Sequence, residues 1–249
     1  MNVYLSRWVC LDPASNLSRL EREARGAAEG GAEVAVFPES FLHGYTRTVD
    51  PARAREAFAG ISFAFPSTLF AFGSLSEERR NRMTLWLGGR EAARYDKVHL
   101  FAPNGEFDRW EPGDRYAALD AKGLTWGLIN CNDLRFPEQA RTLKLEARCG
   151  AFLAVAWWPW RRDHVWRTLL RARAIENAAW VLGCCVAASE VPGERFAGAG
   201  NYVFDPAGDL HLPTEDVWYD LPLGTAPAPL VDPVASHIPV TTVERFGGA

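Results

Sequence analysis

The chain lacks any stretch near the ~20 consecutive apolar residues that a membrane-crossing helix requires, so a membrane-spanning protein is not expected. It lacks the excess of basic charge that marks a nucleic-acid binder: 27 Lys and Arg are interspersed with 31 Asp and Glu, for a net charge of −4. It has no low-complexity tract, no repeat of fixed period and no Ser/Gly-rich linker, which points to one continuous domain over residues 1–249. The opening residues, from Met1 to Arg7, lack the charged lead and apolar core of a secretory leader. Five cysteines, an odd number, stand at positions 10, 131, 149, 184 and 185 with no Cys-x-x-Cys pair. That argues against a disulfide framework and for reduced thiols in the cytoplasm. The five histidines are scattered, and no zinc spacing is present.

What is there is an apolar run that stops at a thiol. Gly127-Leu128-Ile129-Asn130-Cys131 reads as a buried strand, and Asn132-Asp133-Leu134-Arg135-Phe136-Pro137-Glu138 as a turn that starts a helix. In an α/β sheet, ligands meet the protein beyond the carboxyl ends of the strands. Two other strand-like runs carry charged residues, one just past its end and one within it. Val34 to Phe37 leads into Pro38-Glu39-Ser40, and Ala92 to Phe101 contains Lys97. Taken alone, Glu39 reads as an exposed loop acid, Lys97 as a solvated edge residue and Glu106 as a surface acid.

Around these points the pattern predicts strands over Val3–Val9, Leu69–Ser74, Met83–Leu87, Ala151–Trp157, Trp180–Ala187 and Asn201–Phe204. It predicts helices over Asn16–Ala28, Ala52–Ala59, Phe136–Cys149 and Asp163–Ala178. Gly88-Gly89 suggests a hairpin, and residues 221–249, rich in Pro and Gly, an irregular tail. Strands alternating with helices around a central run of strands favour an α/β fold with a mixed sheet, or two sheets packed face to face between helix layers.

Four blocks, taken in order, resemble the nitrilase superfamily of carbon–nitrogen hydrolases. They are Phe37-Pro38-Glu39, the run from Tyr95 to Phe101, the run from Cys131 to Glu138, and the run from Leu170 to Asn177. Their order and spacing fit over roughly residues 3–210. The resemblance implies a four-layer α-β-β-α sandwich with two mixed sheets and a Glu-Lys-Cys triad. In this chain Glu39 would be the general base, Lys97 the cationic stabiliser and Cys131 the nucleophile, with Glu106 a second glutamate that positions lysine and substrate. The backbone N–H of Asn132 would join Lys97 in an oxyanion hole. No metal and no organic cofactor are implied, and a homodimer packed through the helices at 136–149 and 166–178 is.

The run after the cysteine looks most like omega-amidases and related amidases acting on small linear amides. Cys131-Asn132-Asp133 also looks like N-carbamoyl amino acid hydrolases, whereas nitrile hydrolysers tend to carry Trp-Glu after the cysteine. Trp157 and Trp158 stand where family members place a substrate-facing wall, often with Asn before the proline, so Trp158 would narrow the pocket or make it more apolar. Gly60–Phe72 reads as a shortened, aromatic replacement for a full helix, which would leave the pocket edge open or closed by a partner subunit. Arg135, Asp133 and Glu138 read as elbow and helix-cap residues. His99 reads as a packed histidine on the strand face of Lys97. Arg171, Arg173, Glu176 and Asn177 read as a structural network, and Cys149, Cys184 and Cys185 as small core residues.

Overall fold

A computed structural model describes residues 1–190, 195–196, 200–223 and 232–239. The chain opens with β1 (Asn2–Leu5) and β2 (Val9–Cys10), followed by α1 (Pro13–Glu29) and β3 (Val34–Val36). Next come α2 (Pro51–Ala64) and three strands, β4 (Leu69–Glu77), β5 (Arg80–Leu87) and β6 (Arg90–Asp96). A one-turn helix α3 (Glu106–Arg109) precedes β7 (Ala118–Ala121) and β8 (Leu124–Asn130). The second half runs α4 (Pro137–Ala147), β9 (Ala151–Ala156), α5 (Asp163–Asn177), β10 (Trp180–Cys185) and β11 (Ala188–Ser189). Three short strands, β12 (Tyr202–Phe204), β13 (Leu210–His211) and β14 (Trp218–Asp220), complete it. None of the helices is long and apolar enough to cross a membrane, among the described residues.

Two six-stranded sheets form, in the orders β14-β1-β3-β4-β5-β6 and β13-β12-β10-β9-β8-β7. Each is parallel at its centre, β1-β3-β4 in one and β8-β9-β10 in the other, and antiparallel at its edges. The central strands read as unbroken apolar runs because both of their faces are buried. One face of each sheet packs on the other sheet: Val3, Val34, Val36 and Leu85 meet Leu128, Leu153, Val155 and Leu182. The outer face of the first sheet packs on α1 and α2 through Leu20, Phe58, Phe70 and Phe72. The outer face of the second packs on α4 and α5 through Leu143, Phe152, Trp166 and Leu170. The result is the four-layer α-β-β-α sandwich.

Helix starts follow sequence chemistry. Asp12 accepts from the N–H groups of Ala14 and Ser15 at 3.1 and 3.0 Å, with Pro13 in the first turn. Asp50 accepts from Ala52 N–H at 3.0 Å, with Pro51 behind it. The helix expected to stop at Ala59 does not: α2 runs on through Gly60 to Ala64. An interior glycine costs a helix ~1 kcal/mol, but Phe58 and Ile61, one turn apart, are both buried beneath α2 and outweigh it. Gly60–Phe72 is therefore mostly helix and strand start, and none of its residues lines the pocket around Cys131. The expectation of an open pocket edge there is corrected. The expected tail has no helix or strand after Asp220 among the described residues, and 224–231 and 240–249 lie outside them.

One close approach shapes the sheet edge where Glu39 emerges. β4 carries an irregularity between Phe72 and Ser74. A Cβ at Gly73 would lie 1.8 Å from the Pro38 carbonyl oxygen, so only glycine admits the Pro38-Glu39 turn. Just beyond, Ser74 Oγ accepts from Ser40 N–H at 3.0 Å and holds Ser40 at φ +52°. Gly73→Ala is expected to destabilise the protein by about 2–3 kcal/mol through overpacking against backbone. Urea unfolding checks this, and an unchanged midpoint would contradict it.

Candidate active site

Four strand ends converge on one crevice. Glu39 follows β3, Lys97 follows β6, Cys131 follows β8 and Trp157 follows β9. Lys97 was expected inside a strand; instead β6 stops at Asp96, and Lys97 keeps one last ladder bond, its N–H donating to Asn81 O at 3.0 Å. The side chains of Glu39, Lys97 and Glu106 are all buried, at 0%, 0% and 1% exposure. Lys97 Nζ donates to Glu39 Oε1 at 2.8 Å and to Glu106 Oε1 at 2.9 Å. The remaining oxygens are also occupied. Glu39 Oε2 accepts from Trp157 N–H at 2.9 Å, and Glu106 Oε2 from Phe101 N–H at 2.8 Å. Tyr45 Oη donates to Glu106 Oε1 at 2.9 Å.

This geometry sets the protonation states. Burial works against charge on Glu39, yet the Lys97 ammonium and its hydrogen bond outweigh it and hold Glu39 below the ordinary carboxylate value. Glu106 goes the other way: burial, with the Glu39 charge nearby, pushes it up despite Lys97. Burial opposes the Lys97 charge too, but Glu39, Cys131 and Glu106 raise it above the ordinary lysine value. Burial and the charge of Glu39 push the Cys131 thiol well up, with Lys97 pulling the other way. These directions favour a protonated thiol beside an ionised carboxylate, an arrangement in which the carboxylate can accept the thiol proton.

Cys131 sits at φ +54°, a left-handed conformation that a non-glycine residue holds only under constraint. Asp133, 1% exposed, provides that constraint. Its Oδ2 accepts from Asn130 N–H at 3.0 Å and Tyr95 Oη at 2.8 Å, and its Oδ1 accepts from His99 N–H at 2.9 Å. The elbow and the loop after Lys97 are thus pinned by one carboxylate. His99 lies in that loop rather than on a strand face; its Nδ1 meets Asp133 Oδ1 at 2.9 Å and its ring stacks on Phe136 at 3.9 Å. Arg173 donates to Leu134 O at 2.7 Å and to Glu176 Oε1 at 2.9 Å, a structural tie between α5 and the elbow.

Cys131, Glu106, Asn132, Trp157 and Trp158 line one pocket, of about 90 Å³. Asn132 spends its side chain on structure, donating to the carbonyls of His99 and Leu100 at 3.1 and 3.3 Å. Trp157 stands edge-on to Tyr45 with ring centroids 5.6 Å apart. Trp158 is held by its Nε1, which donates to Arg162 O at 2.8 Å. The sequence reading missed several residues that the fold brings here. Tyr45 follows Glu39 by six positions within the same turn. Arg135, read as an elbow residue, reaches the pocket with its guanidinium 4.6 Å over the Trp158 ring. Arg161 and Arg162 also line it, so the mouth is cationic although the chain is net acidic.

His43, behind Glu39 in the same turn, is buried and neutral. Its Nε2 accepts from Ser76 N–H at 3.1 Å and its Nδ1 faces Gly44 O. Burial lowers its pKa to about 4, below an unfolded value of about 6.5. Stability from His43 is full above pH 6.5 and is lost as pH falls towards 4, where the unfolded chain binds a proton the folded one refuses. Between pH 7 and 4 the protein is expected to lose roughly 3 kcal/mol more stability than His43→Gln does. Parallel pH slopes in urea unfolding would contradict this.

A sequence profile described as carbon-nitrogen hydrolase matches residues 3–211. The omega-amidase YafV of Escherichia coli K12 is 31% identical over 209 residues, covering 81% of this chain and 79% of its own. The 2-oxoglutaramate amidase of Paenarthrobacter nicotinovorans is 32% identical over 221 residues, covering 78% and 71%. Among solved structures, a mutant of the amidase from Nesterenkonia sp. AN1, carrying the result of Michael addition of acrylamide at its active-site cysteine, superposes with a TM-score of 0.71. It is 25% identical and covers 84% of this chain and 86% of its own. With the fold and the profile in agreement over most of its length, the chain belongs to the carbon-nitrogen hydrolase family, within the nitrilase superfamily, and is an amidase-type enzyme of omega-amidase-like character.

Proposed function

We propose that the protein hydrolyses the terminal amide of a small linear acid amide through a Cys131 thioester, releasing ammonia. The observation that carries this reading is the buried Lys97 held between Glu39 and Glu106, with Glu106 lining the same pocket as Cys131. Glu39 takes the thiol proton as sulfur attacks the amide carbon. The oxyanion is held by the Lys97 ammonium and the Asn132 N–H, each such donor contributing ~3 kcal/mol to lowering the barrier. Glu39 passes its proton to the leaving nitrogen, and ammonia departs. A water then gives Glu39 a proton as it attacks the thioester, the acid is released, and the proton returns to the sulfur. Glu106 and Tyr45 fix the position of Lys97 through these steps.

The arginines at the mouth support a carboxylate at the far end of the substrate. Arg135 and Arg162 are half-buried and carry planar, permanently charged donors suited to a carboxylate. The names of the relatives, omega-amidase and 2-oxoglutaramate amidase, fit such a substrate. A carbamoyl amino acid would present the same carboxylate, and its hydrolysis would release carbon dioxide as well as ammonia. We further propose that the enzyme works in the cytoplasm as a homodimer packed through α4 and α5, where Ile175 is 51% exposed.

Cys131→Ala is expected to abolish ammonia release from monoamides of dicarboxylic acids, and Glu39→Gln to lower kcat by at least ~100-fold. Full activity in either variant would sink the assignment. Arg135→Ala and Arg162→Ala are each expected to raise KM for an acid amide by about tenfold or more, with little change for a neutral amide of equal length. Equal losses on both substrates would remove the arginines from carboxylate binding.

A further inference from the structure

Asn81 lies on β5, in the sheet that also carries Glu39, and is 1% exposed. Its Nδ2 donates to Glu39 Oε1 at 2.9 Å, the same oxygen that receives Lys97 Nζ. Its main-chain carbonyl accepts the N–H of Lys97 at 3.0 Å. Its Oδ1 accepts from Asn130 Nδ2 at 3.2 Å. Asn130 is buried, ends β8 in the other sheet and directly precedes Cys131. One side chain and its carbonyl thus touch the base, the backbone of the lysine and the strand of the nucleophile.

We infer that Asn81 is a positioning residue for catalysis: oriented by Asn130, it fixes the direction and the ionised state of the Glu39 carboxylate. The inference rests on the reading of Glu39 as general base. A primary amide has a donor end and an acceptor end of nearly the same shape. Turned over, Asn81 would set its oxygen against a carboxylate oxygen. An ionised carboxylate can only accept, so the donor end of Asn81 faces Glu39, and Oδ1 is left on the other side to accept from Asn130 Nδ2. With Lys97 and Asn81 both on Oε1, and Trp157 N–H at Oε2, the carboxylate plane is set from three elements. Oε2, the less occupied of the two by these contacts, is left to receive the Cys131 proton. A hydrogen bond donated to a carboxylate favours its charged form, which a base needs before it can act. Without Asn81 the carboxylate would rotate and hold its proton to higher pH.

The test measures the pH dependence of amide hydrolysis in Asn81→Leu, near in size but without a donor, and in Asn130→Ala. In Asn81→Leu, kcat is expected to fall ~10- to 100-fold with KM little changed. The acid limb of kcat/KM should move up by about one pH unit, because Glu39 loses a donor to its ionised form. Asn130→Ala should move the limb the same way by less, and the double variant should be no worse than Asn81→Leu, since Asn130 acts through Asn81. Thermal unfolding establishes which variants fold. If Asn81→Leu does not, Asn81→Ser together with Asn130→Ala decides the matter by the same shift of the limb. An unmoved acid limb with kcat at the parent level, a loss confined to KM, or additive losses in the double variant would each overturn the inference. Glu39→Gln, run beside them, separates two kinds of failure. If it stays active, the base assignment has failed. If it is dead while the Asn81 variants match the parent, only the role of Asn81 has.

Discussion

A lysine buried between two glutamates is the interaction on which the rest of the site depends. Three ionisable groups without solvent would be costly unless their charges were matched and their lone pairs filled. Lys97 meets the condition by donating to both carboxylates, while main-chain N–H groups of Trp157 and Phe101 take the oxygens it leaves. One cation facing two acids also divides their roles. Glu39 is held ionised and Glu106 is pushed towards its protonated form. Removing Lys97 would leave two carboxylates facing each other without water, a penalty of ~3–5 kcal/mol or more.

The architecture exists, in effect, to bring those charges together from distant parts of the chain. Parallel strands at the centre of each sheet end on the same side, and their carboxyl ends deliver Glu39, Cys131 and Trp157. Backbone strain at Ser40 and Cys131 is held in place by Ser74 and Asp133. The main-chain N–H of Trp157 reaches Glu39 across 118 residues of sequence, so the pocket wall and the buried carboxylate are set by one bond. Aromatic rings of Trp157 and Trp158 line the small pocket, together with Arg135, Arg161 and Arg162.

Much of this was legible in the chain. Glu39 and Cys131 each stand where an apolar run ends, and the blocks holding Glu39, Lys97 and Cys131 occur in the order the nitrilase superfamily uses. Cap chemistry at Asp12 and Asp50 placed two helix starts. Other features were hidden because they depend on what packs where. α2 continues through Gly60 because of apolar residues buried on its far side, which local propensity cannot weigh. Lys97 looked like part of a strand because the alternation of residues runs past the last ladder bond. Tyr45, Asn81 and Arg135 carry no local mark: their partners are Glu106, Glu39 and the Trp158 ring, 61, 42 and 23 positions away. Trp157 and Trp158 were placed on the pocket wall by resemblance, but the three arginines that line the same pocket were not.

The central claim is that acyl transfer passes through a thioester on Cys131. Hydroxylamine partitioning tests it most directly, using the amide and the ethyl ester of one acid as alternative substrates. A shared thioester predicts the same ratio of hydroxamate to free acid from both, at each hydroxylamine concentration, because the leaving group has gone before the partition. A ratio that differs between amide and ester, or acid formed with no hydroxamate at all, would contradict it.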